Sequence, residues 1–96
     1  MNLQDKDFVW DENKRMSNKN KHGISFEEAA TVFDDEKAIH FDDERHSQVE
    51  DRFIIIGMSK QFNILMVCHC YRENDTIIRI ISARKANKKE RAQYGR

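Results

Sequence analysis

Three apolar runs with strand-like alternation lie close together between Arg52 and Ala83: "RFIIIGMS", "FNILMVCHCY" and "IIRIISA". They are short, rich in β-branched and aromatic residues, and bounded by polar breaks, which is the pattern of strands rather than helices. The first break is a tight turn near Lys60 and Gln61, and the second is "RENDT". A parallel neighbour would need a crossover of about a dozen residues or more, and neither gap supplies one. The centre of the fold is therefore expected to be an antiparallel sheet. Before it, "KAIHF" reads as a further short strand and "DDERHSQVED" as a polar loop.

The helices are marked by their ends. "NLQDKDFVW" reads as a first strand ending at Trp10, after which Asp11 can accept from the free amides of a first helical turn. That helix runs to His22, and Gly23 suits a left-handed closing position. "SFEE" is a capping box in which Ser25 caps and Glu28 reaches back. Phe26, Ala29, Ala30 and Phe33 form the buried stripe of this second helix, which should stop near Asp34. Asn87 with Glu90 is the asparagine form of the same box and opens a short C-terminal helix. The expected order is β-α-α-β-β-β-β-α. This is an α+β fold, a mostly antiparallel sheet with helices packed on one face and the other face at least partly open.

With 96 residues, no proline and no Gly/Ser linker, residues 1–96 are expected to form a single domain with one core. The longest wholly apolar run, Ile64 to Cys68, is far too short to span a membrane, and "MNLQDKDF" lacks the apolar centre of a signal peptide. A cytoplasmic protein with no membrane contact is expected, its Cys68 and Cys70 reduced and packed. The formal net charge of zero conceals an asymmetry. Residues 27–51 hold ten acids against Lys37 and Arg45, whereas residues 77–96 hold seven bases against Glu90. Either the two halves neutralise each other, or one surface is basic enough to meet a polyanion.

Several positions could carry chemistry. In the first helix Asp11, Lys14, Asn18, Lys21 and His22 share one polar face, while Met16 is the only clearly apolar interior residue. The plain reading is a solvated helix held by Trp10 and Met16. The functional reading sets Lys21 and His22 beside the basic tail. Strict alternation puts Arg79 with Ile77 and Ile81, and Ile78, Ile80 and Ser82 on the other side. Arg79 is then either paired with a carboxylate such as Glu50 or Asp51, or open to a phosphate that its planar fork fits. Arg84 and Lys85 follow the strand, where a loop could aim them outward. Tyr94 either docks the last helix or offers its phenol to a base or a proton. His69 points away from both cysteines, and no second Cys/His pair has zinc spacing, so no metal site and no cofactor are expected. His40 and His46 read as surface residues.

"WDENKRMSNKNKHGISFEEAATVF", "DRFIIIG" and "RIISARKANKKERAQY", in this order, resemble the BrnT family, toxins of bacterial type II toxin–antitoxin pairs. The resemblance covers about Phe8 to Tyr94. It implies a RelE-like fold and a ribonuclease that needs no metal, cuts RNA and slows translation. It also implies a cognate ribbon-helix-helix antitoxin that neutralises the toxin in a two-plus-two assembly, with DNA bound only through the antitoxin. Arg79, Arg84 and Tyr94 match the basic strand and C-terminal tyrosine of RelE-like enzymes. Lys21 and His22 match the "KHG" element, and Arg52 the "RF" element.

On this reading Arg79, Arg84, Tyr94 and His22 form the catalytic set. The arginines are expected on the phosphate, with His22 or Tyr94 as the proton-transfer group. Lys21, Lys85, Lys88 and Arg52 bind RNA. Two other readings stand beside it. One is a non-catalytic module that uses the same basic face for protein or nucleic acid. The other is an adaptor that works through the acidic segment 27–51.

Overall fold

A computed structural model describes residues 7–43 and 51–95. The chain runs β1 (Asp7–Val9), α1 (Glu12–His22), α2 (Phe26–Thr31) with a 3-10 turn at Val32–Asp34, then β2 (Ile39–Asp42), β3 (Phe53–Met58), β4 (Ile64–Arg72), β5 (Ile77–Lys85) and α3 (Lys88–Tyr94). The five strands form one sheet in the order β1-β5-β4-β3-β2. All pairs are antiparallel except β1 with β5. The first strand, expected from Asn2, is described only from Asp7. The polar loop falls largely on residues 44–50, outside the described residues, as do His46 and Glu50.

Each helix starts at the side-chain cap expected of it. The Asp11 side chain accepts from the Lys14 amide, and Gly23 closes α1 at φ 74. Ser25 caps α2 by accepting from the Glu28 amide, but Glu28 does not reach back as expected, for its carboxylate accepts from Ser59 and Asn63 of the β3–β4 turn instead. In α3 both halves of the Asn87–Glu90 box are made.

One sheet face presents Leu65, Val67, Ile78, Ile80, Ala83 and Ile55 to Ile24, Phe26, Ala29 and Val32, and this is the hydrophobic core. Phe8, Trp10, Phe33 and Tyr71 close it at the margin. Gly57 lets the 3-10 turn approach β3 closely, for a Cβ there would lie 2.9 Å from both Ala38 Cβ and Val32 Cγ1.

The first helix is not held as the sequence suggested. Met16 is exposed, and the buried residue of α1 is Asn18. Its amide nitrogen donates to the carbonyls of Ile24 (3.0 Å) and Ala83 (2.8 Å), and its oxygen accepts from the Ala83 amide (3.0 Å). β1 pairs with β5 only as far as Arg79. Beyond that point β5 is an edge, and Asn18 satisfies its backbone there as a neighbouring strand would. A hydrogen-bonded side chain, rather than an apolar stripe, fixes α1 to the sheet.

Candidate functional site

Strict alternation fails once along β5, and the failure builds the site. Cys68 pairs with Ser82 and His69 with Ile80, so Ile81 is an extra residue, a β-bulge. Arg79 lies opposite Cys70, Ser82 opposite Cys68 and Arg84 opposite Met66. These three partners share one face of β4, so Arg79, Ser82 and Arg84 share one face of β5. The sequence reading placed Ser82 opposite Arg79, and the bulge corrects it. A regular strand would have put the two arginines on opposite sides, one of them in the core.

Beside the bulge a cleft of about 260 Å³ opens between α1 and β5, lined by Lys14, Ser17, Asn18, Lys21, His22, Ile81 and Ser82. The polar stripe of α1 thus faces the middle of β5, and Asn18 sets the separation. Lys19, Lys21 and His22 occupy the last turn of the helix, where cations are favoured by its dipole. Lys14, Ser17 and Ser82 were not among the expected site residues. The i, i+3, i+4, i+7 spacing of Lys14, Ser17, Asn18 and Lys21 on one helix face was the available signal.

The remaining expected residues are distributed along the same sheet face and its ends. Arg79 is half-buried. Arg84 does not follow the strand but lies within β5, and its guanidinium is engaged by the Glu90 carboxylate at 2.8 and 3.0 Å. That pairing holds Glu90 below the usual carboxylate range and raises the arginine. Lys85 ends β5 and Lys88 begins α3, both exposed. Arg52 is half-buried just before β3, where its carbonyl accepts from the Asp43 amide at 2.9 Å. Tyr94 is not brought to the cleft: its hydroxyl donates to Asp35 Oδ2 at 2.7 Å, and Asp35 in turn accepts from the Met58 amide. The bond to Asp35 pushes the phenol up to about 12.

The cysteines and His69 take the packed positions expected of them. Both thiols are buried, and the Cys68 Sγ donates to Asp43 at 3.5 Å. Burial, helped by the Asp43 charge, pushes the Cys68 thiol up to about 11. His69 is fully buried on the core face, edge-on to Phe33 and Tyr71. Among the described residues no three His, Cys, Asp or Glu side chains converge as a metal site. Among them, too, no helix is long and apolar enough to cross a membrane.

Residues 10–90 match the family model described as "Ribonuclease toxin, BrnT, of type II toxin-antitoxin system", and the chain belongs to that family. It is also similar to the crystal structure of the Brucella abortus ribonuclease toxin BrnT, with a TM-score of 0.65 and 26% identity over 86% of this chain and 99% of that one. A search of the curated proteins found no match.

Proposed function

We propose that this BrnT-family toxin cleaves RNA without a metal ion, inhibits translation in the cytoplasm, and is neutralised by a cognate antitoxin. The antitoxin is of ribbon-helix-helix type, joins the toxin in a two-plus-two assembly, and carries any DNA binding. The observation that carries the reading is the bulge at Ile81, which sets Arg79, Ser82 and Arg84 on one face beside the cleft of Lys21 and His22.

In the reaction proposed, the ribose 2′-oxygen attacks the adjacent phosphorus and the bond to the 5′-oxygen breaks. The 2′-hydroxyl proton is lost and the leaving oxygen gains one, giving a 2′,3′-cyclic phosphate and a 5′-hydroxyl. Arg79 and Arg84 stabilise the charge of the five-coordinate intermediate, a contribution of about 3–4 kcal/mol for a well-placed donor. At Arg84 the phosphate takes the place of Glu90 on the planar fork, since both present paired oxygens to the same N–H groups. His22 serves proton transfer from the cleft wall, a role worth about 10²–10⁴ in rate. Tyr94, whose hydroxyl is committed to Asp35, docks α3. Lys14 and Lys21 steer the RNA, while Lys85, Lys88 and Arg52 extend its path.

Induced expression with and without the neighbouring antitoxin gene tests this reading. Expected are growth arrest and fragmented RNA from the toxin alone, and relief of both by the antitoxin. Intact RNA with no growth arrest would instead favour a non-catalytic binding module.

A further inference from the structure

Far along β5 from the cleft, the turn between β3 and β4 presents Phe62 with 82% of its surface exposed. Its φ is 66, a left-handed conformation that a bulky aromatic residue adopts only under constraint. The constraint is visible. The Phe62 amide donates to the Ser59 carbonyl at 2.9 Å, and the Ser59 amide to the Asn63 carbonyl at 2.8 Å. Glu28 Oε2 accepts from both the Ser59 hydroxyl (2.6 Å) and the Asn63 side-chain Nδ2 (2.7 Å), and the Lys60 backbone amide donates to Thr31 Oγ1 (2.9 Å). The tip is thus bolted to α2 while its aromatic ring is held in water. Holding it there forgoes the burial a phenylalanine would gain elsewhere.

We infer that Phe62 is a stacking platform for a nucleobase of the RNA that occupies the cleft. This rests on the ribonuclease reading above. The surroundings favour a base over a protein surface. Gln61 and Lys60 beside the ring are exposed and polar, whereas a protein hot spot is ringed by packed contacts that exclude water. Stacking needs only one free ring face, with cations nearby for the backbone. Cations follow in the chain there: the Ala86 amide bonds the carbonyl of Ile64, two residues from Phe62, at 2.9 Å, and exposed Lys85, Lys88 and Lys89 lie within three residues of Ala86. A strand leaving the cleft at Ser82 and passing Arg84 reaches this end of β5.

The test measures binding of a fluorescent 2′-O-methyl oligoribonucleotide of about twelve nucleotides, and of a dinucleotide that fits the cleft alone, to the full chain. Phe62→Ala and Phe62→Leu should weaken the long oligomer roughly tenfold and leave the dinucleotide unchanged, while Phe62→Trp keeps full affinity. Phe62→Gly relieves the backbone constraint. It should melt no lower than the wild type yet bind the long oligomer as weakly as Phe62→Ala, a split that a structural role would not give. Long-oligomer affinity within twofold of wild type in the alanine and glycine variants overturns the proposal, as does loss confined to antitoxin binding. A wild-type protein that neither binds nor cuts RNA removes the ribonuclease reading itself, and the stacking platform with it.

Discussion

Buried side chains that sequence reading treats as bland set the geometry of this toxin. Asn18 is one and His69 is another. The His69 ring sits among Phe33, Phe53 and Tyr71, its Nδ1 lies 3.3 Å from the Val67 carbonyl, and its Nε2 has no hydrogen-bond partner. Burial pushes the imidazole down to about 4 from its ordinary 6.5. Between those values the unfolded chain binds the proton and the folded chain does not. Stability therefore rises with pH across that window, and falls by roughly 3 kcal/mol as pH drops through it. Urea unfolding at pH 7 and pH 4.5 should show this loss in the wild type. His69→Leu should show a markedly smaller difference, whereas an equal pH dependence in both would contradict the assignment.

Strand and helix boundaries were legible because their signals are local. Period-two alternation marked β3, β4 and β5, and side-chain caps at Asp11, Ser25 and Asn87 marked the helix starts. The bulge was not legible. Ile81 stands in a run of isoleucines with nothing to distinguish it, and an extra residue is defined only by the partner strand. The reading of the site suffered accordingly, since the face on which Ser82 and Arg84 lie depends on that one residue. Parallel pairing of β1 with β5 and the clamp of α1 by Asn18 are likewise tertiary facts. At this scale the close approach of the 3-10 turn to β3 makes Gly57→Ala a sharp probe. The added methyl would press on Ala38 and Val32, costing about 1–3 kcal/mol. A lowered melting temperature is expected, and an unchanged one would contradict the packing described.

Across the whole molecule the charges are partly paired and partly gathered. Neutralisation is local, as in Arg84 with Glu90 and Lys60 with Asp34. Cations remain gathered along α1's cleft face and at the end of β5, where Lys14, Lys21, Lys85 and Lys88 are exposed. The family resemblance drawn from three sequence segments agrees with the family model matched over residues 10–90, and those segments fold into α1 with α2, into β3, and into β5 with α3.

The most direct measurement is cleavage of a single-stranded oligoribonucleotide by the purified toxin in EDTA, with analysis of the new termini. Expected are slow cutting that leaves 2′,3′-cyclic phosphate and 5′-hydroxyl ends, no cutting of the 2′-O-methyl counterpart, and a loss of roughly 100-fold or more in folded Arg79→Ala and His22→Ala. Undiminished cleavage by both folded variants, or complete inhibition by EDTA, would contradict this mechanism.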